Sequence, residues 1–274
     1  MSFRVLSLLP CLLALTIPPA ALAADTAAKP KGRVFSGHVV RVIDGDTLVL
    51  EGDRRIRLLD IDTPEMHFDT GKPEPHAQAA TDALRRMVFG QYVTVETGHK
   101  AKDGYGRWLG HIYLRTPEGG TAWVNGTLVR EGHAHLYTFA DNAMYARELG
   151  AYEAIARANK RGLWALPEWQ VRPADSCCAR ADIGTFKLVE GTVRATAHVA
   201  RAGRGRTYLN FGTHWKTDFT VMIADSDRTW FKQAGISDIA AHYKGKTLRV
   251  HGYLQPVNGV QVRVTHPAQL EIVN

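Results

Sequence analysis

Val39-Val40-Arg41-Val42-Ile43-Asp44-Gly45-Asp46-Thr47-Leu48-Val49-Leu50-Glu51-Gly52-Asp53 places two apolar, largely β-branched runs on either side of an Asp-Gly-Asp turn and then turns again. Arg55 to Ile61 follows as a third run of the same kind. Alternation of apolar and polar residues between turn-formers is the signature of strands joined by hairpins. Three consecutive antiparallel strands suggest a small barrel.

The same stretch is dense in chemistry. Arg57-Leu58-Leu59-Asp60-Ile61-Asp62-Thr63-Pro64-Glu65 follows the Asp-Gly-Asp turn within twenty residues, and Asp103-Gly104-Tyr105-Gly106-Arg107 comes later. A hard divalent cation needs oxygen ligands, which Asp46, Asp62 and a backbone carbonyl can supply. A phosphate needs guanidinium forks, and Arg57 and Arg107 can supply two. Together these are the parts of a metal-dependent phosphodiesterase. Taken alone, Asp44-Gly45-Asp46 is an ordinary hairpin turn and Arg57 a solvated strand residue; their joint occurrence with Asp62, Glu65 and Arg107 is what favours a site.

In this order, Asp-Gly-Asp-Thr, Arg-Leu-Leu-Asp-Ile-Asp-Thr-Pro-Glu and Asp-Gly-Tyr-Gly-Arg resemble the staphylococcal (micrococcal) nuclease family over about residues 34 to 165. The resemblance implies an OB-fold five-stranded barrel with three helices, in a chain that is mainly β with helices (α+β). It implies Asp46 and Asp62 as direct carboxylate ligands, Thr63 as a ligand through its carbonyl, and Asp44 close by to tune the metal. All-oxygen ligation with water favours Ca2+, and the absence of a matching His or Cys ligand argues against zinc. Glu65, beyond a proline that holds Thr63 extended, is the candidate to orient or deprotonate the attacking water. Arg57 and Arg107 are the candidate phosphate clamp, and Tyr105 would face the nucleotide. The family often has a lysine where Gly104 stands, so one cation near the substrate is lost. Tyr137 and Phe139 lie near where the family stacks a base, with the register open by a residue or so. Arg57 and Asp62 are an odd number of residues apart, so a regular strand would turn them to opposite faces, and the site needs a bend between them.

Beyond the strands, Met66 to Pro75 reads as a mobile loop, followed by a helix from about His76 to Phe89 with Ala80, Leu84, Met87 and Val88 on one face and Gly90 ending it. Strands are expected at Tyr92 to Thr97 and Trp108 to Leu114, and helices at about Ala122 to Glu131 and Asn142 to Lys160. Asp141 or Asn142 can cap the last helix and Gly162 stop it, with Tyr145, Leu149, Tyr152 and Ala156 as its core face. Residues 166–184 read as a linker. From 185 to 274, strands at Phe186 to Val199, Thr207 to Phe211, Asp218 to Ala224, Thr247 to Leu254 and Val260 to Val264, with a helix-like Ser226 to Tyr243 before the fourth, give OB-like order and a second β-barrel. There Arg201, Arg204 and Arg206 lie beside Tyr208, Phe211 and Trp215; the pattern fits either a single-strand binding face or a solvated hairpin with core aromatics.

Residues 1–23 join one cation, Arg4, to an apolar run and Ala21-Leu22-Ala23, the pattern of a cleaved signal peptide, so the chain is expected to be secreted or periplasmic, with 24–32 as a flexible leader. Losing Arg4 takes the formal charge from +7 to +6, 33 Lys+Arg against 27 Asp+Glu, still basic and suited to a polyanion. The adjacent Cys177-Cys178 pair is no stabilising framework and matches no zinc spacing. The histidines, His133 and His135 among them, show no metal-ligand spacing with a further ligand. Asn125-Gly126-Thr127 fits a glycosylation sequon but falls in an expected helix and reads as structural.

These expectations combine into a secreted, Ca2+-dependent, sugar-nonspecific endonuclease acting on DNA and RNA, with unpaired or frayed substrate preferred. Contacts mainly to phosphate carry no sequence information. The alternative of another class is a noncatalytic nucleic-acid-binding scaffold built on a nuclease-like barrel; a third is a phosphodiesterase of smaller molecules. Chelator-sensitive cutting separates the first from the second, and salt dependence on polymers separates it from the third.

Overall fold

The expected hairpins form where the turns place them. Strand β1 (Val34–Val42) pairs antiparallel with β2 (Thr47–Leu50) across the Asp-Gly-Asp turn, with a bulge between Val39 and Arg41, and β2 pairs with β3 (Arg54–Leu58). A two-residue strand β4 (Ile61–Asp62) follows, then helix α1 (Ala77–Val88), the long β5 (Tyr92–Lys102), β6 (Trp108–Arg115) and β7 (Thr121–Trp123). Helix α2 (Val124–Arg130), β8 (His135–Leu136) and α3 (Ala146–Ala158) complete this half. Because β1 also pairs with β5, β5 with β6, and β6 with β3 in parallel, the strands β1-β2-β3-β6-β5 close into a five-stranded ring. That ring is the OB-like barrel, and its parallel closure places the ends of β3 and β6 side by side.

This computed structural model describes residues 32–178, 180–200 and 204–273; the expected signal peptide, nearly all of the leader and Arg201 lie outside the described residues. The barrel interior is filled by Leu48, Leu50, Ile56, Leu58, Val93, Val95 and Ile112, and α1 and α2 cover one end with Leu84, Val88 and Leu128. No helix among the described residues is long and apolar enough to cross a membrane.

Residues 166–184 hold a short 3-10 turn at Pro167–Trp169 and β9 (Arg172–Pro173), which pairs in parallel with β10 (Phe186–Thr192). Cys177 and Cys178 are joined to each other. After β10 come β11 (Ala195–Val199), β12 (Arg206–Asn210), β13 (Phe219–Ala224), α4 (Arg228–Gln233), α5 (Ile239–Tyr243), β14 (Thr247–Gln255), β15 (Val260–Arg263) and β16 (Leu270–Ile272). The order β11-β12-β13-β15-β14-β10, with β13 and β15 parallel, repeats the topology of the first ring, β10 and β11 serving as two halves of one bent first strand.

Several boundaries depart from the sequence reading. The expected single strand Phe186 to Val199 breaks where Val193 bonds to Lys246 and Arg194 to Asn210, so the chain changes partner from β14 to β12. The expected helix Ser226 to Tyr243 is two short helices separated at Gly235, whose φ is +80°. Neither Asp141 nor Asn142 caps α3: Tyr145 occupies the N-cap, and the Asn142 side chain instead pairs with both backbone groups of Lys100. Helix α3 ends at Ala158, before Gly162, with Lys160 in the left-handed region. The expected helix over Ala122 to Glu131 begins only at Val124, because Thr121–Trp123 is taken up by pairing with β6.

Candidate active site

The bend that the odd spacing of Arg57 and Asp62 requires lies at Leu59-Asp60. Strand β3 stops at Leu58, Asp60 adopts φ +61°, and β4 leaves in a new direction, paired with β8 through Ile61 with Leu136 and Asp62 with His135. The bend is held from inside. The Arg57 guanidinium donates to the carbonyls of Leu58 and Ile61, at 2.8 Å for the latter. Asn125 donates to the Leu59 carbonyl while accepting from the Ile112 N–H, each at 2.9 Å. The sequon asparagine is therefore a buried strut. Asp60 accepts from the Tyr145 N–H at 3.3 Å. With the chain so folded, the Arg57 fork reaches Asp62 Oδ1 at 2.6 Å and Asp46 Oδ2 at 3.0 Å.

Asp46 arrives from the opposite hairpin. A Cβ on Gly45 would lie 2.7 Å from Thr63 Oγ1 and 2.9 Å from the Ala80 Cβ, so only a glycine lets this turn rest against Thr63 and α1. The Asp46 N–H donates to Asp44 at 3.1 Å, and the Thr47 hydroxyl donates to Asp46 Oδ1 at 3.0 Å. Thr63 gives Asp46 Oδ2 both its N–H, at 3.3 Å, and its hydroxyl, at 3.2 Å. Asp46, Asp62, Thr63 and Arg57 are thus gathered in direct contact, all of them buried. In this arrangement Thr63 meets Asp46 through donors, beside the carbonyl expected of it.

Charge is out of balance in this cluster. Four carboxylates, Asp44, Asp46, Asp62 and Glu65, act on the single guanidinium of Arg57. Desolvation, helped by the Asp46 charge, pushes Asp44 up to about 6, and burial raises Asp46 as well. Partial desolvation pushes Glu65 up to about 7, with the charges of Asp62, Asp46 and Asp44 adding to it. Carboxylates that resist ionising together lack positive charge, and an oxygen-only donor set of this kind suits a hard divalent cation. Among the described residues no three His, Cys, Asp or Glu side chains already converge on one metal position. The donor chemistry of Asp46 and Asp62 and the charge deficit nonetheless fit such an ion.

Glu65 and Arg107 stand at the edges. The Glu65 N–H donates to Glu74 Oε2 at 2.9 Å and the Glu74 N–H returns to the Glu65 carbonyl at 2.8 Å, so the expected loop 66–75 is clasped at its base. Arg107 is held by Asp103, through Nε at 2.7 Å, and makes no direct contact with the carboxylate cluster. It lines a separate groove with Arg54, Arg55, Lys102, Tyr105 and Trp108, where Tyr105 is almost fully exposed.

Sequence reasoning missed three parts of this site. The role of Asp103 as anchor was available in principle, since an Asp four residues before an Arg across a Gly-containing turn is an ion-pair spacing. The contribution of Arg54, Arg55 and Lys102 depends on the parallel closure of the ring. Tyr253, from the second sheet, donates to Asp62 Oδ2 at 2.9 Å across 191 residues of chain, and no local pattern announces it.

Residues 55–166 match the family model described as staphylococcal nuclease homologue, a range that holds Arg57, Asp62, Thr63, Glu65 and Arg107. The chain is 37% identical to protein ParB of Escherichia coli over 54% of its own length and 82% of that protein. It is 36% identical to a micrococcal nuclease of Shigella flexneri over 50% of its length and 77% of the relative. With a thermonuclease of Staphylococcus hyicus the identity is 30%, over 46% of this chain and 73% of the relative. The motifs, the closed barrel and these likenesses agree, and the chain belongs to the staphylococcal nuclease family.

Proposed function

We propose that the protein is a secreted or periplasmic, Ca2+-dependent endonuclease that hydrolyses DNA and RNA without regard to the sugar. Membership of the family makes the chain a phosphodiester endonuclease, and the finer reading rests on the site. The observation that carries it is the meeting of Asp46, Asp62 and Arg57 at the Leu59-Asp60 bend, with 3.0 and 2.6 Å contacts.

Asp46 and Asp62 would hold the cation, with Thr63 steadying Asp46 and offering its carbonyl. A bound divalent ion supplies charge to polarise the phosphate and to acidify a water. The Arg57 fork would present its positive charge to a phosphate oxygen, and Arg107 would take another from the groove side. Glu65 orders the attacking water and accepts its proton as oxygen attacks phosphorus. The bond to the 5′ oxygen breaks, and that oxygen takes a proton from solvent water, leaving a 3′-phosphate and a 5′-hydroxyl. Two guanidiniums on the phosphoryl oxygens stabilise the charge that builds in the five-coordinate transition state.

The basic groove of Arg54, Arg55, Lys102 and Arg107 supports a polyanionic substrate, and exposed Tyr105 and Phe139 give unpaired bases a surface to stack on. These features favour single-stranded or frayed nucleic acid. The test is digestion of single-stranded and duplex DNA and of RNA with Ca2+, with chelator, and by Glu65→Gln and Arg107→Ala variants. Chelator-sensitive cutting that both variants cripple supports the reading. Binding without cutting under every divalent ion would replace it with a noncatalytic nucleic-acid-binding scaffold.

A further inference from the structure

The two sheets meet at the candidate site rather than away from it. Asp62 has two carboxylate oxygens and both are engaged: Oδ1 faces Arg57 at 2.6 Å, and Oδ2 accepts a 2.9 Å hydrogen bond from the Tyr253 hydroxyl. Tyr253 lies on β14, opposite Phe186 of β10 in register. Phe186 stacks on His135, with ring centroids 3.9 Å apart and planes 22° apart, and His135 is the residue paired with Asp62 across β4 and β8. Tyr253 also meets Tyr137 edge to face at 5.8 Å. One cross-strand pair of the second sheet therefore grips both the carboxylate and the ladder that carries it.

The grip is delivered by a fixed element. Strand β14 is tied to α3 through the ion pair of Arg157 with Glu271 of its neighbour β16 at 2.7 Å, and its His251 lies 3.5 Å from Glu153. Leu188 of β10 packs with Ala156, Leu163 and Trp164 in a small apolar cluster spanning the two halves. A phenol is suited to the task at Oδ2. It gives one directional hydrogen bond, fixes the carboxylate rotamer, and brings no formal positive charge of its own. Partners of this kind, bonded to a ligand rather than to the ion, orient metal sites, and their loss typically costs about 10–100-fold in affinity or activity.

We propose that the second sheet is a working part of the nuclease centre, with Tyr253 as a positioning residue that sets the Asp62 carboxylate for cation binding. The inference rests on the proposed reading of Asp62 as a ligand. It assigns Tyr253, which lies outside the matched residues 55–166, a role in the chemistry of the first barrel.

The test uses the full chain and its Tyr253→Phe variant, which keeps the ring against Tyr137 and Phe186 and removes only the hydroxyl. Ca2+ binding is measured by calorimetry, kcat and KM on a single-stranded oligonucleotide, and thermal unfolding as a control. The expected result is a Ca2+ affinity lower by about tenfold or more, kcat reduced at Ca2+ levels that saturate the wild type, KM for the oligonucleotide unchanged, and unfolding within a few degrees of wild type. A variant with wild-type Ca2+ affinity overturns the proposal, whether or not its unfolding temperature falls, because the hydroxyl then serves packing alone. Tighter Ca2+ binding by the variant also overturns it, showing that the phenol masks Asp62. A wild-type chain that neither binds Ca2+ nor cuts brings down the nuclease reading itself, and this inference with it.

Discussion

Arg57 Nη2 lies 2.6 Å from Asp62 Oδ1, although the two residues are five apart and a straight strand would turn them away from each other. The same guanidinium holds the Leu58 and Ile61 carbonyls, so one side chain both makes the bend and joins the two carboxylates that the bend brings together. Lysine carries the charge on one nitrogen and cannot span these four acceptors at once. Arg57→Lys is expected to lower kcat/KM at least about 100-fold, the scale of losing one preorganised donor to the transition state. Arg57→Ala leaves Asp46 and Asp62 buried without a cation and is expected to cost in addition roughly 3–5 kcal/mol of stability. Oligonucleotide kinetics and denaturant unfolding of the two variants check both numbers; a fully active Lys variant would refute the role given to the fork.

The Asp-Gly-Asp turn is as dependent on an absence of atoms. Gly45→Ala introduces a Cβ that would meet Thr63 Oγ1 at 2.7 Å and Ala80 at 2.9 Å. Overpacking of this kind costs about 1–3 kcal/mol. The displaced turn carries Asp46 with it, so Ca2+ affinity and activity are both expected to fall while the fold persists. Gly104→Ala has open space around its Cβ and is the control: its unfolding and its Ca2+ affinity should match wild type.

The strands of the first barrel were legible because β-branched residues alternate between strong turn-formers, and the candidate site stood out because Asp46, Arg57, Asp62 and Glu65 fall within twenty residues of one another. What failed to show in sequence is tertiary. Asn142 looks like a helix cap, yet its side chain is committed to Lys100 on β5, and α3 starts four residues later without a side-chain cap. The bend between Thr192 and Ala195 arises from a change of pairing partner, which leaves no mark on a run of otherwise strand-like residues. Gly235 did carry a visible signal, and reading it as a break would have divided α4 from α5. Tyr253 reaches Asp62 only because two barrels pack together, a fact of surfaces rather than of spacing.

That packing has its own pH dependence. Burial pushes the Glu271 carboxyl up, but the His251 imidazole and the Arg157 and Arg249 guanidiniums outweigh it and hold the group at about 2, below an ordinary glutamate. Glu153 of α3 and Glu190 of β10 face the same cations and complete the cluster. A depressed carboxylate pKa stabilises the fold fully above the unfolded value near 4.5 and loses that contribution as pH falls from there towards 2. The side chain is about one-third exposed, so after solvent screening the contribution is on the order of 1–2 kcal/mol. Glu271→Gln should lower the unfolding temperature by a few degrees at pH 7 and by progressively less from pH 4.5 down. Melting curves of both chains across that range check it; a constant difference down to pH 2 would contradict the assignment.

The groove beside Arg107 offers a way to test binding apart from chemistry. Arg55 and Lys102 are exposed, lie on the walls of the groove, and touch none of the carboxylates at the bend. Cations that contact a polymer backbone release counterions, and each contact contributes about 0.7 to the slope of log affinity against log salt on single strands and about 0.9 on duplex DNA. Replacing both by alanine is expected to weaken binding of long substrates, raise KM several-fold and reduce that slope by between about 1 and 2. kcat at saturation should stay within about twofold, and cleavage of a dinucleotide too short to reach the groove should not change. Binding isotherms at several salt concentrations decide the point: an unaltered slope would mean that the strand leaves the site by another path and that these cations serve the barrel surface alone.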